Sequence, residues 1–274
     1  MRILQLMQFP FLSAMKGIMY YPRKGLLNRY NARTRMYPMN DLPSPEVYEK
    51  EFKYMPWGEL INDLLQLIER DVKPQSELLD LMCGPGYLLS KISTMRPDLK
   101  LTGVDIDKRY THYTRNKYSS IECITADVLK WQTNRKFDTI VCTGGIHHIP
   151  YPQQHAIVQK IFTLLNDDGF CIVADPYVSD YSNEEERKLA AAELGYEYLA
   201  AVIRKNAPNE IITAAVDILE NDLFMTEYKT SVKKNTLLFK KYFSSVEIHK
   251  TWPKKESEYG DYYFILKKST HIRK

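Results

Sequence analysis

The sequence predicts an α/β fold: a doubly wound, mostly parallel sheet of seven strands, with a helical arm before it and a helical lid insertion after the fifth strand. Three observations carry this expectation. Short apolar runs alternate with helix-length segments from Leu78 to Ala174, and a parallel pair needs a crossover of that kind. Several of these runs end in an acid or in paired glycines, which is where a parallel sheet meets its ligands. Two further strand-like runs, Phe243 to Trp252 and Tyr262 to Leu266, follow the insertion and predict an antiparallel closing pair.

In chain order, residues 1–55 form the expected arm. Residues 1–40 hold seven Lys or Arg and no acid, with Tyr20, Tyr21, Tyr30 and Tyr37 interleaved. Such an arm suits an acidic or aromatic acceptor, so Tyr20 and Tyr21 are candidate substrate contacts; the alternative is a solvated arm whose tyrosines pack on the core. Pro43 and Pro45 mark a break. Trp57 to Val72 then sets Leu60, Ile61, Leu64, Leu65 and Ile68 on one helical face and stops at Pro74.

The core, 56–175, opens with Leu78-Leu79-Asp80-Leu81-Met82-Cys83-Gly84-Pro85-Gly86-Tyr87, which reads as strand, tight ligand turn and helix start. A dinucleotide fingerprint needs a small third residue where Leu89 stands, and no Lys-Ser or Lys-Thr follows for a P-loop. A nucleotide-like ligand without phosphates fits better. The second run, Leu99 to Val104, ends in Asp105-Ile106-Asp107, whose first acid is placed to accept both hydroxyls of a ribose. The third, Ile121 to Ala126, leads into Asp127-Val128, placed to accept from an exocyclic amine. The fourth, Phe137 to Thr143, opens into Gly144-Gly145-Ile146-His147-His148-Ile149, and the fifth, Gly169 to Ala174, ends in Asp175-Pro176.

In this order and spacing the motifs resemble the class I S-adenosylmethionine-dependent methyltransferases, whose sheet is Rossmann-like, and specifically their small-molecule branch. The resemblance runs from about Glu77 to Asp175 and more faintly to Leu266. It implies that Asp80, Cys83, Gly84 and Gly86 hold the methionine part of the cofactor, Asp105 and Ile106 the ribose side, and Asp127 and Val128 the adenine. It also implies that Thr143 contacts the cofactor, that Thr143 to His148 line the methyl-transfer pocket, and that the product is S-adenosylhomocysteine. Leu164 to Gly169 is similar to the turn before the family's fifth strand. Asp175-Pro176-Tyr177 is similar to the Asp-Pro-Pro-Tyr signature of base-amine methyltransferases but follows the fifth strand instead of the fourth. It is read as a turn that leaves Tyr177 near the pocket as a substrate contact. The chain departs from the family at Met82, where glycine is usual, so a turn demanding positive φ would be strained.

The implied reaction needs alignment and desolvation, and no metal. His147 and His148 follow a strand end, and an imidazole is the side-chain type whose ordinary titration lies near neutrality, which makes them the candidate bases for an oxygen or nitrogen nucleophile; the alternative is that they only orient substrate. The four cysteines show no Cys-x-x-Cys and no zinc-ligand spacing, so they read as core residues in a reducing cytoplasm.

Residues 176–235 are the expected lid. Ser182 with Glu185 forms a capping-box pattern ahead of one helix, and a second helical pattern spans Pro208 to Leu223; the alternative role for the pair is a homodimer face. Residues 236–274 complete the sheet. No run approaches the ~18 apolar residues of a membrane helix, and Gln5, Gln8 and Pro10 interrupt the apolar start, so neither a membrane span nor a signal peptide is expected. Net charge is +4 with scattered lysine pairs, too mild to demand nucleic acid. The expected function is methyl transfer to a small molecule. The competing readings are an RNA or protein methyltransferase, or a fold of this kind that binds the cofactor without methylating.

Overall fold

Leu78 and Leu79 are both fully buried, yet on opposite faces of one strand, because successive strand side chains point to opposite sides. That two-sided burial recurs along the middle of the sheet and is what helices on both faces require. In the computed structural model, which describes residues 43–224 and 226–268, seven strands form one sheet. They are β1 (Glu77–Leu81), β2 (Lys100–Asp105), β3 (Ile121–Thr125), β4 (Phe137–Thr143), β5 (Leu165–Tyr177), β6 (Ser245–Trp252) and β7 (Gly260–Lys267). Their spatial order is β3-β2-β1-β4-β5-β7-β6, with β7 antiparallel to both β5 and β6 and every other pairing parallel. The order reverses between β1 and β4, so a crevice opens where their carboxyl ends diverge.

The predicted helix is α2 (Trp57–Asp71), which packs beside α3 (Tyr87–Met95) on one face. It buries Leu60, Ile61, Leu64, Leu67 and Ile68, each worth about 1.5–3 kcal/mol when removed from water. Leu67 replaces Leu65 in the buried stripe, and Leu65 is half-buried at its edge. α4 (Lys108–Lys117) follows β2 and packs against β3. On the other face lie α5 (Tyr151–Leu164) and α8 (Val232–Phe239). The periodic pattern of α8 is too short to read from sequence, and so is that of α1 (Pro45–Tyr54), which Ser44 caps.

The two insertion helices are α6 (Glu184–Arg204) and α7 (Asn209–Leu223). The cap of α6 lies one residue beyond the expected box: Asn183 Oδ1 accepts from the Glu186 N–H at 2.9 Å, and Glu186 reaches back to the Ser182 N–H at 2.7 Å. The expected turn at Leu164 to Gly169 starts on the last residue of α5 and otherwise lies within the span of β5. Phe137 pairs with Leu165 and Thr139 with Phe170, so the intervening residues bulge out of register and do the work of a turn. All four cysteines are free and buried. Among the described residues, no helix is long and apolar enough to cross a membrane. Tyr20 and Tyr21 lie outside the described residues.

Candidate active site

Asp80 sits on the buried middle of β1, 1% exposed, and neither of its carboxylate oxygens has a hydrogen-bond partner. Burial, with Asp105 next in effect, pushes its pKa well above the ordinary range. A carboxyl group left bare in the interior is costly unless something supplies donors to it. The chain then turns sharply. Met82 has φ +61°, Gly84 +54° and Gly86 +74°, so the strain anticipated at Met82 is present in the turn. A Cβ on Gly86 would lie 2.6 Å from Thr114, so glycine is required there on both counts. Gly86 also caps α3 without any side-chain bond, and the first N–H groups of that helix point out of the turn.

Asp105 closes the loop from the neighbouring strand. Its Oδ2 accepts from the Gly84 N–H and its Oδ1 from the Asp107 N–H, both at 2.8 Å. Each oxygen keeps a second lone pair for a further donor. Ile106 beside it is 45% exposed, an apolar surface at the tip of β2. Asp127 caps its own turn, accepting from the Leu129 N–H at 2.9 Å, and pairs with Lys130 at 3.1 Å. Val128 is buried in the core, and its carbonyl accepts from Lys160 at 2.5 Å. Cys83 directs its sulfur into the core, toward Gly103 and Cys123, so only its main chain borders the turn. Tyr48 of α1, which the sequence reading missed, faces the turn: a Cβ on Gly84 would meet its ring at 3.8 Å. Its only sequence signal is an aromatic in a short helix after Pro45.

The end of β4 supplies the second half of the site. Thr143 is half-buried, and a Cβ on Gly144 would meet nothing within 4 Å, so the strand opens into free space there. Ile146–His148 then coil into a single 3-10 turn. His147 Nδ1 lies 2.8 Å from Asp175 Oδ1 on the neighbouring strand, and both groups are buried. With its proton on Nδ1 the imidazole donates to Asp175 and presents a bare lone pair at Nε2. That nitrogen stands 3.9 Å from Glu227 Oε2, beyond hydrogen-bond range. His148 packs its ring 4.1 Å from His147 and is exposed on its outer side. The protein around it and the neighbouring imidazole push its pKa down, favouring the neutral ring.

Sequence reasoning missed the cluster behind His147. The loop after α7 is tied down by the Tyr228 N–H, which donates to the His147 carbonyl at 2.7 Å. Buried Lys229 donates to Asp222 Oδ2 at 2.8 Å and to Glu227 Oε2. Burial raises the Glu227 pKa, but Lys229 and the two histidines outweigh it and hold the carboxylate at about 2. His147, His148 and Glu227 bring ligand atoms within 4.8 Å of one another, a spacing a metal ion can use. The Lys229 ammonium already neutralises that carboxylate and would repel a cation.

Tyr177 is corrected. It is 1% exposed, packs edge-on against Tyr262 and Phe264, and accepts from Asn235 at 3.2 Å. β5 continues past Asp175 and pairs with β7 as far as Gly260, which carries Tyr177 into the core instead of to the pocket.

A bare acid and glycine turn at one strand end, an acid at the next, and a carboxylate-oriented histidine across the crevice form the arrangement expected from the sequence resemblance to class I S-adenosylmethionine-dependent methyltransferases. Residues 78–169 match the family model described as a methyltransferase domain. The chain is 27% identical over 112 residues to the malonyl-[acyl-carrier protein] O-methyltransferase of Acetivibrio thermocellus, covering 40% of this chain and 39% of that one. It is 24% identical over 155 residues to the tRNA (guanine-N(7)-)-methyltransferase of Bos taurus, covering 55% and 53%. It thus spans about half or less of the length of these relatives. The plantazolicin methyltransferase BpumL, solved with a monoazolic desmethylPZN analog and SAH, superposes with a TM-score of 0.56 at 13% identity, covering 82% of this chain and 88% of that one. That likeness concerns the fold.

Proposed function

We propose that this protein transfers a methyl group from S-adenosylmethionine to an oxygen or nitrogen of a small-molecule acceptor, with His147 as the base. The observation that carries the reading is the buried His147–Asp175 pair standing across the strand-end crevice from the Asp80–Gly86 turn. When bound, the sulfonium cofactor supplies an activated methyl group.

The residues fit such a ligand. The bare Asp80 carboxyl suits an α-ammonium group, and the uncapped N-terminus of α3 suits a carboxylate. Asp105 retains lone pairs for ribose hydroxyls, and Ile106 offers an apolar face for a base. Asp127 keeps acceptor capacity for an amine beyond its turn bond. His147 Nε2 takes the proton that the acceptor loses as it attacks, and Asp175 stabilises the imidazolium formed. His148 and Thr143 border the same opening and orient the acceptor. The free, buried cysteines favour a reducing compartment such as the cytoplasm.

Titration calorimetry with S-adenosylmethionine tests the cofactor half. The expected result is saturable one-to-one binding that is lost in Asp105→Ala and kept in His147→Gln. Release of S-adenosylhomocysteine over an acceptor panel tests the other half: His147→Gln loses about 10²-fold or more in turnover at unchanged cofactor affinity. Absence of binding overturns the cofactor reading. Full turnover in His147→Gln overturns the base.

A further inference from the structure

Arg187, in the first turn of α6, is 1% exposed, which makes it the largest of the fully buried side chains. A guanidinium stays charged at any ordinary pH, so taking it out of water is costly unless its donors are matched. Here they are not. Nη2 donates to the main-chain carbonyl of Asp222, whereas Nε and Nη1 are buried without a hydrogen-bond partner. The nearby acids face Lys229. Asp222 gives it Oδ2 and keeps Oδ1 buried without a hydrogen-bond partner, and Glu227 accepts from the same ammonium. The Tyr151 hydroxyl, next to that of Tyr181, donates to the Lys229 carbonyl at 2.7 Å and turns its oxygen toward Arg187, the one polar side chain that begins to answer the guanidinium among the described residues.

The position of this unmatched cation is as informative as its state. Tyr151 begins the helix that follows the His147–His148 turn, and the 227–229 loop is hydrogen-bonded to His147. Arg187 therefore comes from the lid and converges on the shell around the proposed base, through Asp222, Lys229 and Glu227 in turn.

We infer that Arg187 is the recognition site for a carboxylate carried by the methyl acceptor, so that the substrate class is a small organic acid bound beneath the α6–α7 lid. This rests on the methyl-transfer reading for the word acceptor, but the anion site itself does not. The guanidinium has donors to spare for both oxygens of a carboxylate, and a two-oxygen pairing fixes an acceptor's direction as well as its charge. Since Arg187 is buried, the acid enters with the lid displaced, and the closed arrangement is reached once the anion supplies the missing partner.

The test uses simple probes. Acetate, benzoate and succinate, each beside its neutral amide, are titrated into the full chain with and without S-adenosylhomocysteine. At least one acid should bind about tenfold more tightly than its amide, because the amide leaves Arg187 unmatched. Arg187→Gln should abolish this preference while leaving the S-adenosylhomocysteine affinity unchanged, and Arg187→Lys should keep only part of it. Equal binding of acids and amides, no binding of any acid, or a preference that survives Arg187→Gln overturns the inference. The wild-type comparison decides the matter even when a variant fails to fold. Failure of S-adenosylhomocysteine to bind would count against the cofactor reading alone, since acid preference is also read on the unloaded chain.

Discussion

At the scale of single residues, Met82 is where the chain departs most from what its turn requires. A side chain at φ +61° meets its own backbone, at a cost of about 1–2 kcal/mol that glycine escapes. Met82 recovers part of that by packing against the core and against Gly145, where an added Cβ would lie 2.7 Å from its terminal methyl. The two contributions separate in a pair of variants that both lack the long side chain. Met82→Gly should be more stable than Met82→Ala by about 1 kcal/mol, the reverse of the usual order in helices and strands. Urea unfolding measures the difference. If alanine is the more stable of the two, the turn does not hold the positive φ in solution.

At the scale of elements, the loop after α7 is held in place by charge. Lys229 bridges Asp222 at the end of the helix and Glu227 in the loop, and all three are buried. Removing the ammonium leaves two interior carboxylates facing each other, so Lys229→Met should cost about 3–5 kcal/mol. Adding Asp222→Asn and Glu227→Gln should restore much of the loss, because neutral amides carry no such penalty; urea midpoints of the single and triple variants would show it. No restoration would mean that the lysine acts by packing. This cluster also marks the limit of what the sequence makes legible. Strands β1 to β5 are readable because each is a local apolar run ending in an acid or glycine, and α2, α6 and α7 because their periodicity is local too. His147 meets Asp175 from 28 positions away, and Arg187 meets Asp222 from 35, so no window of sequence holds both partners. Tyr177 misled for a related reason: the fate of a residue after a strand depends on whether that strand continues, and here pairing with β7 continues it.

At the scale of the whole molecule, several acids are sealed inside the fold. Glu51 on α1 is pushed up to about 8 by burial, and Asp261 on β7 to about 7, mainly by burial, which outweighs its bond from Tyr198. Each keeps its proton in the folded chain over a range where the unfolded chain, with ordinary values near 4.5 and 3.8, has lost it. The folded state then binds more protons than the unfolded state, and stability falls as pH rises. The penalty begins above the ordinary carboxyl range and is complete once pH passes the folded values, with a slope of at most about 1.4 kcal/mol per pH unit for each group. Glu227 acts in the opposite sense. Held at about 2, it contributes stability that is present above its ordinary 4.5 and is lost as pH falls through the folded value. His148, held at about 3, adds a limb that rises until its ordinary 6.5, but Glu51, Asp261 and Asp80 together outweigh it, so stability declines from about pH 5 upward. Urea midpoints should therefore decline from pH 5 to pH 8, with Glu51→Gln flattening the decline up to about pH 8 and Asp261→Asn only up to about pH 7. A profile that is flat across this window in the wild-type chain, or equally steep in both variants, would show that these acids are ionised in the fold and have found partners from the solvent.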